Sequence, residues 1–293
     1  MTGGSLSYQF KTASVVVKLI VINAVVFIGV NIVAFLMQME PSYLTRWFVL
    51  PDSISEVIWQ PWSFFSYSFL HSGIFHILFN MIFLYMFGRI ILNLFSEKRF
   101  LAIYLLGALA GGLLFVLSYN IFPAFASSKG YLLGASGAVT AIMVFIATYT
   151  PNTVVRIFMF NLKIWWIAVF FVLKDLIQLP LSDNAGGLLT HLGGAIFGYV
   201  YARQMAKGND IGAWFERFMD WVADLFKTRK QKPFKKVHRN KATQSKTKRS
   251  KPVDSKSDHQ KKVDAILDKI SKSGYESLTK AEKDFLFKAG NDN

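Results

Sequence analysis

Apolar residues in this chain are gathered into runs rather than interleaved with polar ones. Residues 19–37, 74–94, 100–119 and 164–181 are each long enough to cross roughly 30 Å of hydrocarbon at about 1.5 Å per residue. Two further runs, 135–149 and 188–202, are shorter and rich in glycine and alanine. The pattern predicts about six membrane spans. No small-residue cleavage site follows the first run, and it is too long for a signal h-region, so it is read as a retained span.

The polar remainder sets orientation and boundaries. Lys11 and Lys18 precede the first run, Lys98 and Arg99 join the second to the third, Arg156 and Lys163 join the fourth to the fifth, and Arg203 and Lys207 follow the sixth. By the positive-inside rule both termini are expected to be cytoplasmic, in a bacterial inner membrane. The segment 38–70 is long and carries Trp47, Trp59, Trp62, Phe64 and Phe65, which predicts a structured loop partly embedded in the outer interface. Beyond the spans, Trp214, Phe218, Trp221, Val222 and Leu225 recur at helical spacing opposite Glu216, Arg217, Asp220 and Asp224, predicting an amphipathic helix at the inner surface or against the bundle. Residues 227–251 are rich in lysine and arginine without one acid, a composition expected to stay disordered and to be drawn to anionic lipid heads rather than nucleic acid. Apolar spacing from Val263 to Ile270, then Gly274 and a Thr279–Glu282 capping box, predicts a small helical hairpin. The expected division is therefore 1–207, 208–226, 227–258 and 259–293.

Composition sharpens this. Hydrophobic residues make up 53% of 293, yet the net charge is +15, a combination that describes a membrane domain with a basic cytosolic tail and excludes one soluble globule. With no cysteine, disulfides, thiolate metal sites and cysteine nucleophiles are excluded. No metal or other cofactor is expected.

Ionisable and polar groups inside spans are costly and point to function. They cluster at His71-Ser72-Gly73-Ile74-Phe75-His76 through Asn80 on the second run, at Gly134-Ala135-Ser136-Gly137-Ala138 on the fourth, and at Thr190-His191-Leu192-Gly193-Gly194 on the sixth. The topology puts all three clusters toward the outer half of the bilayer. His76 and Asn80 share a helix face. Ser136 opens its helix, where unpaired N–H groups favour a developing oxyanion. About fifteen residues rise only about 22 Å, so the segment before Ser136 has to dip into the bilayer beside protein or a water-filled cavity. The small pairs Gly134/Ala138, Gly137/Ala141 and Gly194/Gly198 allow close helix approach, which would bring His191 to Ser136.

On these residues, the His-x-x-x-Asn turn, G-x-S-G and a histidine followed by small residues, the chain resembles the rhomboid family across residues 19–203. The resemblance implies an all-α six-helix membrane bundle with a water-filled cavity. It also implies a serine–histidine dyad without an acidic third member, and cleavage of membrane-anchored substrates in or beside their transmembrane segments. Carried over, Ser136 is the nucleophile and His191 the base. Asn80, His76 and the Ser136 N–H hold the oxyanion, with Gly134 and Gly137 in support. Three sites depart from the pattern common in the family: Ser63 after Trp62, the pair Leu92-Asn93 late in the second helix, and Thr140 one turn after Ser136. His71 is expected to hold the first loop by hydrogen bonding, and Asp175 to face the cavity or snorkel outward, with orientation of His191 as the less favoured reading. The competing readings are a catalytically silent relative that binds client membrane proteins, and a small-molecule transporter. Ser136 and His191 argue against the first, and the absence of an inverted repeat argues against the second.

Overall fold

A computed structural model describes residues 5–126, 128–157, 159–225 and 255–291. The chain divides into two compact units, Met1–Arg229 and Lys230–Asn293. The basic stretch expected to be disordered lies outside the described residues except for 255–258, which open a helix.

The first unit begins with α1 (Leu6–Thr12) and α2 (Val15–Leu36), the latter started by the Ser14 hydroxyl accepting from the Val17 N–H. The first loop carries three short helices, α3 (Pro41–Thr45), α4 (Ile54–Trp59) and α5 (Ser63–Ser66), and a two-residue strand β1 (Leu50–Pro51). Two long helices follow, α6 (Ile74–Leu94) and α7 (Glu97–Ile121). Ser96 caps α7 through the Arg99 N–H, while the Glu97 side chain accepts from the Val15 N–H at 3.0 Å and so ties the starts of α7 and α2. Strand β2 (Tyr131–Leu132) precedes α8 (Ser136–Tyr149).

The ribbon β3 (Val154–Ile157) and β4 (Phe160–Lys163) is antiparallel and lies where the sequence pattern gave only a loop. Strands of four residues are too short to be told from a loop by period alone. The unit continues with α9 (Ile164–Gln178), α10 (Ala185–Ala206) and α11 (Ala213–Leu225). The helix containing His191 starts three residues before the apolar run, because Asn184 accepts from the Gly187 N–H and caps a Gly-rich first turn that hydropathy does not mark.

Among the described residues three helices, α2, α6 and α7, are long and apolar enough to cross a membrane. In α2 only 17% of the most apolar window is buried inside the protein. Apolar surface of that extent, including Phe75 and Ile177 at 70% and 68% exposure, requires lipid around it. The core gathers on α6, α7, α8 and α10, with Tyr67, Phe87, Phe100, Tyr104, Phe145 and Tyr201 fully buried.

Glycines set the innermost distances. A Cβ on Gly194 would run into the Gly137 carbonyl, and one on Gly198 into the Ala141 carbonyl, so α10 and α8 touch backbone to backbone. They are the most extensively packed helix pair, which brings the His191 helix against the Ser136 helix.

In the second unit, α12 (Ser255–Ser273) and α13 (Lys280–Asn291) are joined through Gly274 at φ 75°, a left-handed turn suited to glycine. Thr279 Oγ1 accepts from the Glu282 N–H at 3.4 Å and the Glu282 carboxylate accepts from the Thr279 N–H at 2.8 Å. Lys269 Nζ reaches the same carboxylate at 2.9 Å. Together these hold the Glu282 carboxyl down at about 2. A folded-state value below the unfolded one means this contribution is present above the ordinary carboxylate range and fades as pH falls toward 2. Glu282→Gln is therefore expected to loosen the hairpin at neutral pH and to have a much smaller effect at pH 2, where the carboxyl is about half protonated, read by hydrogen exchange of the α13 amides against wild type at each pH.

Candidate active site

The first loop fixes the segment that leads into Ser136. β1 pairs antiparallel with β2, Leu50 opposite Leu132. Asp52 Oδ2 accepts from the Gly130 N–H at 2.6 Å, and the Gly134 N–H donates to the Tyr67 carbonyl at 3.0 Å. Tyr67 in turn donates its hydroxyl to the Ala108 carbonyl at 2.8 Å, bonding the loop to α7. The segment before α8 is thus fixed from both sides.

Gly134 has φ +127°, and a Cβ there would stand 2.6 Å from His76 Nε2 and 3.7 Å from Ser136 Oγ. Only glycine combines that backbone with that proximity. Gly134→Ala is expected to cost about 1–3 kcal/mol in backbone strain and to push His76 aside, so thermal stability should fall; an unchanged melting temperature would show that the loop accommodates a side chain there.

Ser136 is the first residue of α8, and no side chain caps that helix, which leaves its leading N–H groups for a ligand. His76 lies in the first turn of α6. Its Nδ1 is 3.5 Å from the Ser72 N–H and 3.0 Å from Ser72 Oγ. A backbone N–H can only donate, which assigns Nδ1 as acceptor and puts the proton on Nε2, the atom that faces Gly134. Asn80 is buried and donates one Nδ2 hydrogen to the His76 carbonyl at 2.9 Å, leaving its second hydrogen for the cavity. Gly137 packs its Cα against Thr190 and supports the α8–α10 contact rather than presenting a donor side chain.

His191 sits two turns into α10, and its Nδ1 is 2.9 Å from Asp175 Oδ2 on α9. A carboxylate only accepts, so Nδ1 carries the proton and Nε2 keeps a free lone pair. Asp175 is 2% exposed. Lys174 Nζ stands 2.9 Å from its other oxygen, close enough for an ion pair though off the hydrogen-bonding direction. Asp175 lines the cavity, as expected, and does not snorkel outward; the less favoured reading, that it orients His191, is the contact observed. The expected absence of an acidic partner for the histidine is corrected with it.

His71 also departs from expectation. Both its ring nitrogens are buried without a hydrogen-bond partner, so it does not hold the first loop by hydrogen bonding; it meets the His76 ring edge-on at 5.0 Å. Burial, with the His76 ring adding to it, pushes His71 down to about 4, so it is neutral near pH 7.

Ser136, His191, His76, Asn80 and Asp175 line one cavity of about 710 Å³, open to the surface and walled otherwise by aromatic residues including Phe75, Phe79 and Phe171. No hydrogen bond joins the Ser136 hydroxyl to His191 among the described residues. Thr140 also lines the cavity, at the position of the family's usual aromatic, whereas Ser63 is buried in α5 with no partner for its hydroxyl among the described residues.

A Rhomboid domain model matches residues 58–208, more than half of the chain. The chain belongs to the rhomboid family. Relatives include RHOMBOID-like protein 12, mitochondrial, of Arabidopsis thaliana, 33% identical over 153 residues that cover 48% of this chain and 45% of the relative. Presenilin-associated rhomboid-like protein, mitochondrial, of Homo sapiens is 29% identical over 185 residues, 59% of this chain and 46% of the relative. Rhomboid protein 1, mitochondrial, of Saccharomyces cerevisiae is 25% identical over 186 residues, 61% of this chain and 52% of the relative. The rhomboid chain described here therefore spans about half the length of the curated relatives it matches. Residues 250–288 match a separate family of unknown function (DUF6576).

These relatives overturn the expected bacterial inner membrane with cytoplasmic termini, since plant, mammalian and yeast rhomboids alike are named as mitochondrial. The lysine and arginine asymmetry orients spans across a membrane but carries no information on which membrane it is.

Proposed function

We propose that this rhomboid is an intramembrane serine endopeptidase that cleaves transmembrane segments of membrane-anchored proteins, with α2, α6, α7, α8, α9 and α10 as its six spans. Its relatives' names favour a mitochondrial membrane. The observation that carries the reading is the convergence on one cavity of Ser136 at an uncapped helix start, His191 with its Nδ1 held by Asp175, and the His76/Asn80 face.

In the proposed reaction, Ser136 Oγ bonds to the scissile carbonyl carbon as its proton passes to His191 Nε2. The carbonyl oxygen, now an anion, is received by the Ser136 N–H, His76 Nε2–H and the second Asn80 hydrogen. The C–N bond then breaks as His191 returns its proton to the leaving nitrogen. Water, deprotonated by the same imidazole, hydrolyses the acyl-enzyme. Asp175 stays ionised and holds the ring in one tautomer.

The alternative, a silent client-binding protein, would have no use for a charged partner behind His191. A fluorophosphonate offered to the full-length protein in detergent separates the two: adduct mass on the peptide containing Ser136, lost in His191→Ala, supports the protease, and no adduct removes it. Loss of one oxyanion donor is expected to cost about 10²–10³ in turnover. Asn80→Ala and His76→Ala should each do so with KM nearly unchanged, checked on a single-pass substrate. Equal turnover in both would deprive the α6 face of its part.

A further inference from the structure

We propose that α11 is an interfacial membrane helix whose exposed aromatic stripe is occupied by the acyl–headgroup boundary of a phospholipid leaflet. The inference rests on the reading of the first unit as a membrane bundle.

Successive residues of a helix turn by about 100°, which sorts α11 into three sectors. Phe215, Met219 and Val222 form one. Phe215 is buried against Ala102 and Leu106 of α7, with Phe197 of α10 and Met219 beside it. Glu216, Asp220, Asp224 and Arg217 form a second. Here Glu216 accepts from Arg99 Nε at 3.1 Å and Asp220 pairs with Lys98 at 2.6 Å.

Arg99 also pairs closely with Asp210, which accepts the Tyr201 hydroxyl at 2.7 Å, so the link from α10 to α11 is pinned as well. The third sector, between the buried one and the charged one, is Trp214, Phe218, Trp221 and Leu225, each 49–62% exposed. Phe218 and Trp221 stack at 5.9 Å, giving one continuous apolar strip.

Depth identifies what covers the strip. α7 begins at Glu97, and Phe215 meets it at Ala102 and Leu106, about 7 to 14 Å along its axis. That is the level at which a spanning helix passes from headgroups into hydrocarbon, and interfacial helices lie about 5–10 Å deep. The polar sector is turned to the charged mouth of α7, so the strip faces the side of the bundle, where the spanning helices also show apolar surface.

Glu216 and Asp220 are paired with Arg99 and Lys98, and Arg217 is the single basic residue of α11, so the helix has no basic face to be drawn by anionic heads. Apolar area and the tryptophan preference for the interface supply the driving force instead. The partner is therefore the interface of an ordinary zwitterionic leaflet, and the helix would hold the exit of α10 and the start of the tail on the membrane surface.

The chain lacks cysteine, so single cysteines report without background. Trp214→Cys, Phe218→Cys, Trp221→Cys, Arg217→Cys, Asp224→Cys and Met219→Cys are labelled with a solvatochromic probe in the full-length protein, reconstituted in phosphatidylcholine vesicles. Quenchers are aqueous iodide and lipids with a doxyl group near the carbonyl or near the acyl end.

Probes at 214, 218 and 221 should lose most of their emission to the shallow doxyl lipid, less to the deep one and little to iodide. Probes at 217 and 224 should respond to iodide, and the probe at 219 to neither. Iodide quenching at 218 and 221 equal to that at 217 would overturn the proposal, as would iodide reaching 219. Shielding of 218 and 221 from both quenchers would also overturn it and point to protein, a second copy or another chain, over the strip. If the protein fails to co-float with vesicles through an alkaline wash, the membrane reading itself fails and not this inference alone.

Discussion

Ser136→Ala is expected to remove cleavage of a single-pass substrate almost entirely, by on the order of 10⁴-fold or more, because it deletes the atom that forms the acyl bond. His191→Ala should reach the same floor, and the double variant should fall no further, since both groups serve one step. Neither change opens a core. Ser136, the first residue of α8, and His191 are half-buried and line the cavity, so thermal unfolding and membrane insertion should stay close to wild type. The measurement is single-turnover cleavage in detergent by all four proteins at matched folded concentration. Full turnover by Ser136→Ala would sink the protease reading outright. Losses that multiplied in the double variant would show that the two residues act in separate steps.

How much of this was legible beforehand depends on whether the signal was local. Ser136, His76 and Asn80 stand in short motifs whose spacing alone puts them on one helix face or at one helix start, and the small residues at 137, 141, 194 and 198 announce the α8–α10 contact that the glycine geometry shows. The amphipathic period of 214–225 was plain too, but not its division into a bundle-facing and an exposed apolar sector, because that depends on where Arg99 and Phe197 lie.

The two-residue ribbon β1–β2 has no sequence signature of its own; it exists because Asp52, Tyr67 and Gly130 tie distant loops together. His71 looked like a hydrogen-bonding residue from its chemistry and is instead packed by its ring. Asp175 was seen as a charge inside an apolar run, but the rotation of α9 that aims it at His191 is a tertiary fact. The compartment was not legible at all, since loop charge gives only sidedness.

That tertiary fact carries the last expected result. Asp175→Asn should lower kcat by on the order of 10²- to 10⁴-fold with KM little changed. The reason lies in Lys174, whose ammonium is 2.9 Å from Asp175 Oδ1. An asparagine here presents its one oxygen to that cation and turns its amide hydrogens toward His191. The imidazole must then accept at Nδ1, which moves the ring proton to Nε2 and removes the lone pair that takes the Ser136 proton.

Two companion variants distinguish this from a packing defect. Asp175→Glu keeps a carboxylate and should recover part of the rate. Lys174→Met combined with Asp175→Asn removes the cation, lets the asparagine oxygen return to His191 Nδ1, and should be faster than Asp175→Asn alone, a sign of coupling that additive destabilisation cannot produce. Steady-state kinetics on the same single-pass substrate reads all three. If Asp175→Asn keeps wild-type kcat, or if adding Lys174→Met slows it further, the hydrogen bond at 2.9 Å is a structural contact and the serine and histidine work without it.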